Sequence, residues 1–111
     1  MIQLLEYTDT VGRSPFADWF NDLDASAAAK IATALVRVEQ GNLSNAKGVG
    51  AGVLEYCIDS GPGYRIYFGK DGERLVILLA GGTKKRQQRD IEAAQARWAD
   101  YKQRKRHRGG K

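Results

Sequence analysis

The chain has 111 residues, 42% of them hydrophobic and 28% charged, which is enough for one compact domain and too little for two separate cores. Three Phe, two Trp and five Tyr argue against disorder, and a lone cysteine, Cys57, rules out an internal disulfide framework and fits a reducing compartment. The net charge of +5 is unevenly placed: residues 84–111 hold 11 basic and 3 acidic side chains, the first 83 residues 7 and 10, a polarity that suits a polyanionic partner.

Ile2, Leu4 and Tyr7 mark a short N-terminal edge strand. Ser14-Pro15 opens a helix, with serine at the cap and proline in the first turn, and Phe16, Trp19, Phe20 and Leu23 form one apolar stripe. Ala25 to Gln40 carries Ile31, Leu35 and Val38 on one face and stops at Gly41-Asn42. These two helices are expected to form an antiparallel hairpin. Residues 41–52 are small and polar and predict a loop.

Three strands follow, Val53 to Asp59, Tyr64 to Phe68 and Arg74 to Ala80, joined by turns at Ser60-Gly61-Pro62-Gly63 and Lys70-Asp71-Gly72. In the middle strand Tyr64, Ile66 and Phe68 share one face while Arg65 and Tyr67 take the other. Leu75 to Ala80 is apolar at every position, as in a central strand covered on both sides. The cover for its second face is a final helix from about Thr83 to Tyr101, on Ile91, Ala94, Trp98 and Tyr101. After Lys102 nothing is left to bury, so residues 1–103 form the domain and 104–111 a frayed basic tail. The expected fold is α+β, in the order β-α-α-β-β-β-α, with a small four-stranded sheet, antiparallel or mixed. The longest apolar run is six residues against the roughly 20 of a membrane helix, and Met1 to Glu6 lacks the features of a secretory signal. A cytoplasmic protein without membrane contact is expected.

Enzyme signatures built on HExxH, CxxC, GxSxG or a phosphate-binding Walker loop are absent from the sequence, and the one histidine, His107, falls in the tail. No acidic and histidine residues stand at metal-ligand spacing, so no metal or other cofactor is expected. Lys, Arg, Tyr and carboxylate chemistry remains, and phosphodiester cleavage is a reaction that can run on cations and positioning. Arg65 interrupts a short strand. Two readings of it are open: a guanidinium that chelates a phosphate, or an ion pair to Glu55 on the neighbouring strand. Lys84-Lys85-Arg86 either fill the first turn of the last helix after a Thr83 cap, or form a loop before a helix that starts near Gln87. Both versions place a basic cluster at the end of the central strand.

Several segments carry a family resemblance over residues 12–101: Ser14-Pro15-Phe16 with Trp19-Phe20-Asn21-Asp22-Leu23, Lys47-Gly48-Val49-Gly50, Gly61-Pro62-Gly63-Tyr64-Arg65-Ile66-Tyr67-Phe68, and Leu78-Leu79-Ala80-Gly81-Gly82-Thr83-Lys84-Lys85. With them the chain resembles the RelE/ParE superfamily of type II toxins, in its HigB-like, phage Gp49-like addiction-module killer branch. The resemblance implies a RelE-like fold and a toxin that cleaves messenger RNA on the ribosome without metal and is neutralised by a helix-turn-helix antitoxin. It implies that Arg65 stabilises the transition state, that Lys84 acts on the attacking 2′-hydroxyl or the leaving oxygen, and that Lys47 steadies the phosphate. Lys85, Arg86 and Arg89 resemble backbone binders. Glu55, Tyr56 and Cys57 stand where relatives often carry Lys or Arg, and a Tyr or His near the start of the last helix is missing; either Tyr67 replaces the missing proton-transfer group or the nuclease is weak. Two other functions remain compatible with the same fold: a ParE-like inhibitor of DNA gyrase, and a nucleic-acid-binding module without catalysis.

Overall fold

The computed structural model describes residues 1–109. The elements are β1 (Gln3–Glu6), α1 (Pro15–Asn21), α2 (Ala25–Glu39), β2 (Ala46–Gly48), β3 (Val53–Ile58), β4 (Tyr64–Lys70), β5 (Leu75–Thr83), a 3-10 turn over Lys84–Arg86, and α3 (Gln87–Gly109). The helix starts follow from side-chain caps: Ser14 Oγ accepts from the Ala17 N–H at 3.0 Å, and Asp24 Oδ1 from the Ala27 N–H at 2.8 Å. Gly41, at φ 81°, supplies the left-handed residue that ends α2.

The sheet is five-stranded and mixed, in the order β1-β5-β4-β3-β2. β1 runs parallel to β5 and the other neighbours are antiparallel. The expectation of four strands is corrected by β2, which lies inside the segment read as a loop. Ala46, Lys47 and Gly48 offer no apolar alternation; backbone pairing to Tyr56, Glu55 and Leu54 of β3 defines the strand. α1 packs chiefly on β5 and α2 on β3, and both helices enter one apolar cluster through Phe16, Ile31 and Val38.

One face of the sheet meets α1 and α2 through Phe16, Ile31, Val38, Tyr56, Ile66, Phe68, Val76 and Leu78. The other meets α3 through Tyr7, Val53, Tyr67, Ile77, Leu79, Ala80, Ala94 and Trp98, so the final helix is the cover that the all-apolar strand required. Each face admits a tryptophan over a glycine. A Cβ at Gly81 would lie 2.0 Å from the Trp19 ring, and one at Gly69 would lie 2.5 Å from Trp98.

α3 starts at Gln87 rather than at Thr83 and runs to Gly109 rather than dissolving after Lys102. The extension is held by polar contacts that an apolar periodicity does not register. The Arg104 guanidinium donates to the Thr8 carbonyl at 2.7 Å and to the Tyr7 hydroxyl at 3.1 Å and pairs with Asp100, while Lys105 and the Tyr101 hydroxyl both reach Asp71. Of the expected tail, residues 110–111 lie outside the described ones. Among the described residues no helix is long and apolar enough to cross a membrane.

Candidate functional site

The α3 face of the sheet carries its charges at one end. Along β4 the two-residue period sends Ile66 and Phe68 towards α1 and α2 and sends Arg65 and Tyr67 towards α3. Arg65 faces Cys57 of β3 on one side and Gly82 of β5 on the other. Its side chain is 12% exposed, and its Nη1 donates to the carbonyls of Gly63 at 3.2 Å and Tyr64 at 3.4 Å. The Gly63 carbonyl also accepts the backbone N–H of Lys84 at 3.0 Å. One carbonyl of the Ser60–Gly63 turn thereby brings the strand arginine and the start of the basic turn together. Gly63 stands at φ 76°, a conformation that glycine adopts without strain.

Thr83 is extended and makes no side-chain cap, and Lys84, Lys85 and Arg86 form an exposed 3-10 turn ahead of the α-helix. Of the two readings of this segment, the later helix start is the one observed, and it places Asp90 in the first turn of α3.

Of the two readings of Arg65, the structure shows the ion pair. Glu55 Oε2 lies 3.8 Å from Arg65 Nε, and Oε1 lies 3.7 Å from Nζ of Lys47, an edge-strand lysine whose side chain is 65% exposed. Glu55 itself is fully buried. It accepts hydrogen bonds from Gln87 Nε2 at 2.8 Å and from the Cys57 thiol at 3.4 Å. Burial alone would raise its carboxyl; the Gln87, Tyr67 and Cys57 groups and the Arg65 charge outweigh burial and hold it below its ordinary value. The carboxylate is therefore ionised, and four elements supply its partners.

Tyr67 is completely buried, and burial together with Glu55 and Asp90 pushes its hydroxyl far up. It stands opposite Glu55 in the β3–β4 register, away from solvent. Cys57 is also raised, by burial first and then by Glu55, which makes it a poor thiolate. Asp90 sits over Gly82, where no Cβ would fit, and burial raises its carboxyl against the pull of Arg86, Arg97 and Arg89. Arg65 Nε, Tyr67 Oη and Asp90 Oδ2 are all buried without a hydrogen-bond partner among the described residues, three polar atoms gathered at this end of the sheet.

The expected site residues thus fall into three sets. Arg65 and Lys47 meet at Glu55, and Lys84 joins Arg65 through Gly63. Lys85, Arg86 and Arg89 are exposed on the turn and first helical turns beyond it. Tyr67 is interior. Gln87 and Asp90 were not singled out by the sequence; the Gly81-Gly82 pair at the end of an apolar strand was the available sign that something approaches the backbone there. The larger surface hollows lie at the other end of α3, one of about 560 Å³ beside Trp98 and Tyr101 and one of about 600 Å³ beside Gln103 and His107.

Comparison with known proteins covers the same region. A family model described as phage-derived protein Gp49-like (DUF891) matches residues 18–99. A protein of Haemophilus influenzae, named only as uncharacterized, is 41% identical over 80 residues, which is 71% of this chain and 81% of that one. Every residue placed at or around Glu55 falls inside the span of the family match.

Proposed function

Because the chain belongs to the phage-derived Gp49-like family, which groups with addiction-module killer, RelE-like toxins, we propose that it is the toxin of a type II toxin–antitoxin module, HigB-like, acting as a ribosome-dependent endoribonuclease on messenger RNA. The observation that carries this reading is the convergence of Arg65, Lys47 and the Lys84–Arg86 turn at one end of the sheet. Transesterification, in which the 2′-oxygen displaces the 5′-oxygen from phosphorus, needs the 2′-hydroxyl in line with the scissile phosphate, a cation on the phosphorane-like transition state, and a proton for the leaving 5′-oxygen. Arg65 is the cation on the transition state. Lys84 acts on the 2′-hydroxyl or the leaving oxygen, and Lys47 steadies the phosphate from the sheet edge. Lys85, Arg86 and Arg89 hold the flanking backbone. Tyr67, being interior, touches the reaction only through Glu55. The chemistry requires no metal, and its products are a 2′,3′-cyclic phosphate and a 5′-hydroxyl. The neutralising partner is a helix-turn-helix antitoxin, and the site of action is the cytoplasm.

End-group analysis of transcripts after expression without the antitoxin tests the reading. New 5′-hydroxyl ends within translated regions support it, and 5′-phosphate ends overturn the mechanism. Intact transcripts with accumulating cleaved gyrase–DNA complexes would replace it with gyrase inhibition. Arg65→Ala should slow cleavage about 10²–10³-fold, the usual effect of losing one transition-state donor.

A further inference from the structure

Glu55 is the one charged residue that is buried among the described residues, and it stands beside a site read as binding an anion. A negative charge there opposes a phosphate, so a site selected for affinity alone would do better with a neutral side chain. An ionised carboxylate withdrawn from water must also be compensated by good partners. These come from β2, β3, β4 and α3, through Lys47, Cys57, Arg65 and Gln87. We propose that Glu55 is a positioning residue that sets the direction of the Arg65 guanidinium and keeps Lys47 on the same side of the sheet. The proposal rests on the reading that Arg65 meets a phosphate.

The geometry supports that role in detail. The Nε edge of Arg65 is turned to Glu55 and Nη1 to the Gly63 and Tyr64 carbonyls, which leaves Nη2 without a partner among the described residues. At 3.8 Å the Glu55–Arg65 contact is an ion pair without a hydrogen bond, and Arg65 Nε is left unsatisfied. Glu55 aims Arg65 by charge without a hydrogen bond to it, so an advance on a phosphate gives up only the long Nη1 contacts to the Gly63 and Tyr64 carbonyls. Gln87, at the start of α3, fixes Oε2 of Glu55 and ties this aim to the helix that carries the basic turn before it.

The test uses the full chain, Glu55→Gln and Glu55→Asp, and three measurements. The first needs no RNA: the Arg65 Nε–H signal in ¹⁵N NMR of the wild type should move with pH in step with the Glu55 carboxyl carbon. The second is affinity for a 2′-O-methyl oligoribonucleotide, which cannot be cleaved. The third is cleavage at saturating ribosomes. Positioning predicts that Glu55→Gln binds the oligonucleotide as tightly as wild type or more tightly, yet cleaves roughly 10- to 100-fold more slowly, the scale of a displaced catalytic group. Glu55→Asp should recover part of that loss. Unchanged or faster cleavage by Glu55→Gln overturns the proposal. If Glu55→Gln does not fold, the wild-type titration decides, and an Arg65 signal indifferent to Glu55 overturns it. If the wild type cleaves no RNA, the nuclease reading fails by itself, while the same NMR titration still judges whether Glu55 directs Arg65.

Discussion

The two faces of the sheet share strands and differ in what they bury. Against α1 and α2 the interior is Phe16, Ile31, Val38, Ile66, Phe68, Val76 and Leu78. Against α3, the apolar Val53, Ile77, Leu79 and Trp98 give way at one end to Glu55, Arg65, Asp90 and the Tyr67 hydroxyl. The division follows from the strand period: consecutive residues of β4 are assigned alternately to packing and to chemistry. A buried carboxylate with partly satisfied charges around it gains little by burial, so the dry face carries the stability that lets the other face hold such a cluster.

The sharpest way to break this comparison is to damage the dry face. Phe68→Ala should cost about 3–5 kcal/mol, as a fully buried phenylalanine does when truncated, and a denaturant titration giving less than about 1 kcal/mol would show that stability lies elsewhere. Gly81→Val and Gly69→Val come next, each expected to cost about 1–3 kcal/mol or more because each drives a side chain into a tryptophan ring. Equal losses would mean that both helical layers are equally locked. A smaller loss at Gly69 would show that α3 yields more easily than α1.

Titration separates the faces more finely. Glu55 is held below its ordinary value of 4.5 in the folded chain, so its contribution is present above that pH and is lost as pH falls through the folded value. Asp90 runs the other way. Its folded value is raised above 3.8 by burial, so its ionisation is a cost that is absent below 3.8 and complete above the folded value. Asp90→Asn should therefore raise Tm at pH 7 and lose that advantage on acidification; a lower Tm at pH 7 would reveal a partner for the charged form. The smallest effects belong to the far end of α3. Arg104→Ala should cost about 1 kcal/mol and Lys105→Ala less, as partly exposed pairs do, with hydrogen exchange accelerating in the last turns of the helix and not around Gln87.

Much of the fold was legible because it is written in apolar spacing and caps: the stripe from Phe16 to Leu23, the cap at Ser14, and the unbroken run of β5. β2 was not, since three small or charged residues held by backbone pairing leave no pattern. The length of α3 was not, because Arg104 and Lys105 are fixed by Thr8, Tyr7 and Asp71, partners 30 or more positions away. At the site, Arg65 and the basic turn stood out as charges in unexpected places, and the Glu55 pairing was visible as one of two readings. That Glu55 is fully buried and that Gln87 reaches it depend on where α3 crosses the sheet, which no spacing within β3 records.

The parallel pairing of β1 with β5 has a consequence for how the chain acquires its shape during synthesis. Gln3 precedes its partner Leu75 by most of the domain, so β1 leaves the ribosome long before the strand it needs. β5 lies between β1 and β4 and is the last strand made. Until it emerges, the β3–β4 hairpin has a free edge and both cores lack their middle wall. The contact of Arg104 with the Thr8 carbonyl then joins α3 to the segment after β1. Long-range closures of this kind delay the ordered state, and the nascent polypeptide stays without the assembled partners of Glu55 until the start of α3 has emerged.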